Sequence, residues 1–204
     1  MNRTTPLLSG SRLEFHRYGE PVFEPVDIDL SPGTVIVLTG PNGVGKTTLL
    51  RLLAGILAPV SGTLSHHADV SFVGHQPAVK SDLTCRENLA YEREVGPPAM
   101  PIAEALAMVG LAGLGSRPAR ALSAGQRKRL GLSRLLVRQA PVWLLDEPYA
   151  SLDDAGCERV DDLIGTQIAS NQGVILATHQ RHPRVESERV VQVRLSTQRT
   201  GERS

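Results

Sequence analysis

Gly40-Pro41-Asn42-Gly43-Val44-Gly45-Lys46-Thr47-Thr48 is the stretch whose reading decides the fold. It matches the P-loop pattern G-x-x-x-x-G-K-[ST] at every required position. Three glycines let the backbone curl with its N–H groups pointing inward, a concave nest for anionic oxygens. The Lys46 ammonium is placed to reach β- and γ-phosphates, and the Thr47 hydroxyl to ligate the Mg²⁺ that bridges them. Before the loop, Thr34-Val35-Ile36-Val37-Leu38 reads as a buried strand, entered through the turn Ser31-Pro32-Gly33. After it, Leu49, Leu50, Leu52, Leu53 and Ile56 recur at helical spacing, with Gly55 where a helix stops. The helix N-terminus, the positive end of its dipole, faces the phosphates. A Gly-rich turn that merely precedes a lysine does not require this strand and helix. The chain is therefore expected to bind a nucleoside triphosphate with Mg²⁺.

Working outward, the N-terminal segment reads as antiparallel β: Leu13 and Phe15 alternate with polar residues, as do Val26, Ile28 and Leu30. Tyr18 lies upstream of the P-loop, where its ring can stack on an adenine; the other reading is a strand-end tyrosine with a wet hydroxyl. On the other side, Gly62–Leu64 and Val70–Val73 read as strands, with His66-His67 between them. That His pair has no Cys or carboxylate partner at ligand spacing, so it is read as non-metal. From Pro77 to Arg120 helical stretches appear around Cys85 to Glu94 and from Ile102 to Val109, separated by Pro97-Pro98 and stopped by Gly110. Leu122-Ser123-Ala124-Gly125-Gln126 follows, with Ser123 as N-cap of a helix to about Arg138. Arg127, Lys128 and Arg129 crowd the first turns of that helix, against its dipole. They are either a solvated face or a sign that something anionic approaches.

Val142-Trp143-Leu144-Leu145 is an apolar run of the kind that forms a buried parallel strand. It ends in Asp146-Glu147-Pro148. Ser151-Leu152-Asp153 leads into a helix from Asp154 to about Ser170, then a strand over Val174–Thr178 that ends at His179. Val190–Val193 is a last, edge strand, followed by a polar tail. Alternating strands and helices after the P-loop predict an α/β fold with a mainly parallel sheet. Such sheets bind ligands at the carboxyl ends of their strands. Four polar groups sit just past four strands: the P-loop, Gln76, Asp146-Glu147 and His179. Asp146 is placed to hold Mg²⁺ and Glu147 to orient or deprotonate an attacking water. Gln76 is placed to touch the metal or that water, and His179 the γ-phosphate.

In this order the motifs resemble those of the ATP-binding subunits of ABC transporters, over nearly the whole chain. Tyr18 resembles the adenine-stacking A-loop, and Gly40 to Thr48 the Walker A loop. Gln76 resembles the Q-loop, Leu122 to Gln126 the LSGGQ signature with Ala124 replacing a glycine, and Val142 to Glu147 Walker B with its catalytic glutamate. Ser151-Leu152-Asp153 resembles the D-loop and His179 the switch histidine. The resemblance implies a P-loop NTPase of ABC-ATPase fold spanning 1–204. A nucleotide-binding core with an antiparallel β subdomain would cover 1–76 and 139–204, and an inserted helical signature subdomain 77–138. It implies ATP and Mg²⁺ as cofactors, with Lys46, Glu147 and His179 catalytic and Thr47, Gln76 and Asp146 toward the metal. Two copies would pack head to tail, Ser123, Gly125 and Gln126 of one completing the ATP site of the other, with Asp153 at the same junction. Contact with membrane subunits would fall at Pro77 to Leu83. Val73-Gly74-His75-Gln76-Pro77, Leu83-Thr84, Glu87-Asn88-Leu89, the Ala-containing signature and Thr178-His179-Gln180 look similar to the ATP-binding subunit of the haem exporter of cytochrome c maturation. That implies integral membrane partners of that system and a peripheral place on the cytoplasmic side of the inner membrane, with no haem ligation by this subunit.

Bulk properties agree. The 204 residues suit one domain with a full core, and the formal net charge of +1 gives no polyanion-binding field. A soluble ABC-type ATPase acting on nucleic acid or ribosomes would be expected to carry basic extensions or a second cassette. A kinase would leave Leu122 to Gln126 and Glu147 without a purpose. No apolar run reaches the ~18 residues of a membrane span, and the N-terminus leads into no signal-peptide core. Two cysteines, Cys85 and Cys157, form no disulfide framework and read as small packing residues of a reducing compartment.

Overall fold

The computed structural model describes residues 5–93, 100–179 and 181–197. Pro97-Pro98, Gln180 and the end of the polar tail lie outside the described residues. Strands β1 (Leu8–Glu14), β2 (His16–Arg17), β3 (Glu20–Pro21), β4 (Val26–Leu30) and β5 (Val35–Thr39) lead to helix α1 (Lys46–Leu53). Then come β6 (Ser61–His66), β7 (Val70–Val73), α2 (Cys85–Arg93), α3 (Ile102–Met108) and α4 (Ala124–Arg138). Strand β8 (Val142–Asp146), α5 (Asp154–Ala169), β9 (Gly173–Ala177) and β10 (Val190–Arg194) complete the order.

The main sheet runs β10-β5-β9-β8-β7, and every pairing in it is parallel. β5, β8 and β9 are buried on both faces almost throughout, which is why they read in sequence as unbroken apolar runs. Beside it lies an antiparallel sheet in the order β4-β1-β6. Its β4 alternates buried and exposed residues, with Val26, Ile28 and Leu30 inward, as one solvated face requires. The fold is thus an α/β P-loop NTPase fold with an antiparallel β subdomain and a helical one.

Two cores meet across the main sheet. On one side Leu49, Leu50, Leu52 and Leu53 of α1 are fully buried with Phe23 and the inner face of the antiparallel sheet. Each such leucine contributes about 1.5–3 kcal/mol by removal from water. Ile56, counted by spacing with this set, lies beyond the helix and is 58 % exposed. Gly55 at φ 71° ends the helix early and turns the chain away. On the other side α2, α3, α4 and α5 pack with Trp143, Leu145 and Leu176. Both cysteines are buried here, and burial pushes their thiols up. His66 is the last residue of β6 rather than a loop residue, and its Nε2 lies 2.7 Å from the Leu53 carbonyl at the end of α1.

The segment after β7 is built around α4. Pro77 lies on Gly131, where an added Cβ would come within 2.5 Å of the proline Cβ. Glycine in mid-helix costs about 1 kcal/mol against alanine, so its place here is explained by this close approach. Gly131→Ala is therefore expected to lower the melting temperature despite its better helix propensity, by an overpacking penalty of about 1–3 kcal/mol. Thermal unfolding by circular dichroism measures it. Asn88 holds the following segment: its Oδ1 accepts from the Lys80 N–H at 2.8 Å and its Nδ2 donates to the Thr84 carbonyl at 2.9 Å. Thr84 and Glu87 cap α2 reciprocally, the Glu87 carboxylate accepting from the Thr84 N–H at 2.7 Å and the Thr84 hydroxyl from the Glu87 N–H at 3.2 Å.

Candidate functional site

The C-terminal ends of β5, β8 and β9 converge on a cleft of about 510 Å³. Its walls include Asn42, Gly43, Gly45, Lys46, Thr47 and Thr48 from the loop, Asp146 and Glu147 from the end of β8, and His179 beyond β9. The loop shape depends on its glycines. Gly45 has φ 104°, and a Cβ there would come within 2.7 Å of Phe23 and Val22, so only glycine lets the loop lie against the antiparallel subdomain. Gly43 has φ 79° with nothing within 4 Å of an added Cβ. Helix α1 has no side-chain cap and no acidic residue in its first turn. Its N-terminal N–H groups are left for an anion.

Lys46 is 6 % exposed, and its ammonium donates to the carbonyls of Gly40 at 2.8 Å and Pro41 at 2.9 Å. Burial lowers its pKa, opposed by the charges of Glu147 and Asp146. The Thr47 hydroxyl donates to Asp146 Oδ2 at 2.9 Å, and Asp146 is only 3 % exposed. A buried carboxylate beside a hydroxyl, opening onto the cleft, is an all-oxygen donor set suited to Mg²⁺, which takes one or two carboxylates plus phosphate oxygens. The described residues hold no larger His, Cys, Asp or Glu cluster able to bind a metal.

Glu147 follows at φ 49°, an uncommon conformation for a non-glycine residue. Its N–H donates to the Ala177 carbonyl at 2.9 Å, so its backbone is tied to the end of β9. The side chain faces His179: Oε1 lies 3.3 Å from Nε2, and Oε2 accepts the His179 N–H at 3.4 Å. One carboxylate thus links the ends of two strands at the mouth of the cleft.

The remaining sequence candidates lie around this centre. Gln76 is exposed and lines a neighbouring cleft of about 800 Å³ that shares Thr47, Asp146 and His75 with the first. Tyr18 is fully exposed at the tip of the β2–β3 hairpin, φ 54°, with Gly19 beside it at φ 85°. Ser123, Gly125 and Gln126 do not line either cleft. Ser123 caps α4 in a reciprocal box, its N–H donating to Gln126 Oε1 at 2.9 Å and its Oγ accepting the Gln126 N–H at 3.2 Å. Gly125 lies where a Cβ would be 2.9 Å from the Ser151 carbonyl, so the signature helix starts against the loop that follows Glu147. Asp153 caps α5, accepting the Gly156 N–H at 2.8 Å.

Arg17, Arg51 and Ala150, which the sequence reading did not name, also line the cleft, and Lys128, read there only as part of a basic run, stands at the site. Arg17, just before Tyr18, lines the main cleft; nothing in its local sequence marks it. Lys128 is 3 % exposed, and its ammonium donates to the carbonyls of His75 and Asp146, each at 3.3 Å. Burial brings its pKa down to about 8, while Asp146 and Glu147 pull it up. Two of the three bases therefore do not form a solvated face: Arg129 donates to the carbonyls of Val109 and Gly110, and Lys128 ties α4 to the ends of β7 and β8. Its spacing of four and seven residues from the buried Leu132 and Leu135 was the signal.

Fold and site together define a P-loop ATPase. The family model described as ABC transporter matches residues 23–150. A cytochrome c biogenesis ATP-binding export protein CcmA from Xanthomonas oryzae pv. oryzae is 42 % identical over 195 residues, 88 % of this chain and 89 % of that protein. Its counterpart from Rhodopseudomonas palustris is 41 % identical over 182 residues, covering 84 % and 91 %. Among solved structures, an ATP-binding subunit of an ABC transporter superposes with a TM-score of 0.74 at 23 % identity, covering 85 % of this chain and 80 % of the other. The chain belongs to the ABC transporter family, as an ATP-hydrolysing, ATP-binding subunit.

Proposed function

We propose that this subunit drives an exporter of cytochrome c biogenesis, the haem exporter or haem-chaperone release complex, from the cytoplasmic face of the inner membrane. The observation that carries this is the 42 % identity to a cytochrome c biogenesis export ATPase along 88 % of the chain. No helix among the described residues is long and apolar enough to cross a membrane, which supports attachment through separate integral membrane subunits. Those subunits would dock on the neighbouring cleft, where Gln76 and Ala78 meet the exposed Ile56 and the segment Pro77 to Leu83 continues. Residues 1–76 and 139–204 would form the nucleotide-binding core and 77–138 the helical signature unit.

In the mechanism these residues support, Lys46 holds the β- and γ-phosphates and the N–H groups from Gly40 to Thr48 cradle them. Tyr18 stacks on the adenine. Thr47 and Asp146, with Gln76 beside them, would hold Mg²⁺, whose charge would offset that developing on the phosphates. Glu147 accepts the proton of the attacking water, and His179 holds Glu147 and contacts the γ-phosphate. Ser123, Gly125 and Gln126, turned outward from their own cleft, complete the site of a second copy, with Asp153 at the junction. Ser123→Arg is therefore expected to reduce ATP turnover at least about 10²-fold, the loss of oriented anion-binding groups, while nucleotide affinity of the monomer stays within two-fold. Phosphate release and equilibrium binding of a fluorescent ATP analogue separate the two. Retained turnover would mean that the signature completes no partner site.

Deletion of the gene in its host tests the biological role. Loss of covalently haem-bearing c-type cytochromes, restored by the wild-type gene and not by Glu147→Gln, is the expected result. An unchanged cytochrome complement would remove the chain from that pathway.

A further inference from the structure

Asp161, in the middle of α5, is 5 % exposed and touches neither cleft wall described above, yet it gathers three groups from the two loops that carry the chemistry. Tyr149 donates its hydroxyl to Asp161 Oδ1 at 2.7 Å. The Arg181 guanidinium donates to Oδ2 at 2.7 Å, and the Arg184 N–H to Oδ1 at 3.3 Å. Arg181 also lies over the Tyr149 ring, 5.9 Å from its centroid. Arg184 Nη1 is 3.5 Å from Glu158, one turn earlier on the same helix. Tyr149 itself is only 2 % exposed, and burial with the Asp161 contact holds its hydroxyl protonated, as a donor.

The spacing gives this cluster its meaning. Tyr149 stands two residues after Glu147, and Arg181 two residues after His179. Glu147 and His179 in turn face one another at 3.3 Å. The two loops are therefore joined twice, once at the cleft by Glu147 and His179 and once behind it through a single carboxylate on α5. A buried ion pair is weak evidence for stability, because desolvation offsets its attraction; its surer effect is to select one geometry. Charge-assisted hydrogen bonds at 2.7 Å are short and directional, which suits that role.

We propose that Asp161 is a positioning residue that, through Tyr149 and Arg181, sets the separation and orientation of Glu147 and His179 across the ATP cleft. This rests on the assignment of Glu147 and His179 as the catalytic pair. The clamp acts on the step that needs a near-attack arrangement, where misplacement by about 1 Å can cost ~10²-fold in rate. Of the groups placed against the nucleotide it acts on His179 alone, and it leaves Lys46 and the P-loop N–H groups, which carry the affinity, where they are. A kcat effect without a KM effect follows.

The test uses the full chain with Tyr149→Phe, Arg181→Gln and their double variant, alongside Glu147→Gln. Neither single substitution strands a buried charge without a partner: Asp161 keeps Arg181 in the first and Tyr149 and Arg184 in the second. Each is expected to lower kcat about ten-fold, with KM for ATP and the Kd of a fluorescent ATP analogue within two-fold of wild type, because the lost interaction acts on the reacting arrangement alone. The double variant is expected to be little worse than the worse single, since both arms act through one carboxylate. Tyr149→Phe with unchanged kcat and Arg181→Gln with unchanged kcat, in chains whose melting shows them folded, overturns the clamp. So do effects that appear in KM and Kd instead of kcat, or that multiply fully in the double variant. Glu147→Gln keeps the two failures apart: if it still turns over normally, the catalytic assignment itself falls, and the clamp with it.

Discussion

Glu147→Gln is expected to reduce ATP turnover about 10²–10⁴-fold, the range that a positioned general base contributes, while ATP binding is kept or strengthened. The amide is nearly isosteric with the carboxylate. The backbone hold from the Glu147 N–H to the Ala177 carbonyl does not depend on the side chain, and an amide oxygen can still accept the His179 N–H. What disappears is the charge and with it the proton acceptor that faces His179 and the cleft. A site that binds ATP but cannot hydrolyse it should accumulate in the ATP-bound arrangement, which in the head-to-tail reading is a closed dimer. Phosphate release measures the first effect, and size-exclusion chromatography with and without ATP and Mg²⁺ the second. Normal turnover would remove Glu147 from the catalytic role.

Lys46→Ala has the other large effect, and it falls on affinity. The ammonium, 6 % exposed, is held by the carbonyls of Gly40 and Pro41. That hold keeps it at the loop, where α1 begins and phosphates would lie. Loss of a hydrogen bond to a charged group is worth about 1.5–3 kcal/mol, and Lys46 can give two to the β- and γ-phosphates. The dissociation constant for ATP should therefore rise at least about 10²-fold. The same substitution takes the Lys46 donor from two loop carbonyls, of which Pro41 still accepts the Val44 N–H at 3.4 Å. Melting curves of the nucleotide-free protein show whether the loop alone is disturbed. Unchanged affinity in a folded variant would mean that the cleft is not the triphosphate site.

Much of this was legible in the sequence, for identifiable reasons. A strand buried on both faces must be apolar at every position, so β5, β8 and β9 appeared as Val/Ile/Leu runs and the groups at their ends lined up. The glycines of the P-loop and the Ser123 cap follow local rules of backbone geometry, which spacing reveals. The miscounted Ile56 shows the limit of periodicity, since Gly55 ended the helix before the apolar pattern did. Lys128 shares the buried face of Leu132 and Leu135 by spacing, but only the carbonyls of His75 and Asp146 show what holds its charge there. The Asp161 cluster was out of reach altogether. Its members are 12 and 20 residues apart in the chain, and only the packing of α5 beneath two loops brings them together. Arg17 carried no signal because a two-residue strand gives no pattern to read.

The most direct measurement is recovery of partners from native membranes with the tagged chain as bait, followed by mass spectrometry. The account predicts that multi-spanning subunits of cytochrome c maturation come with it, together with untagged copies of the chain itself. Recovery of a different permease would contradict the proposed pathway, leaving an ABC transporter ATPase of another system. Recovery of ribosomes or nucleic-acid proteins with no membrane subunit would contradict the membrane-export role altogether.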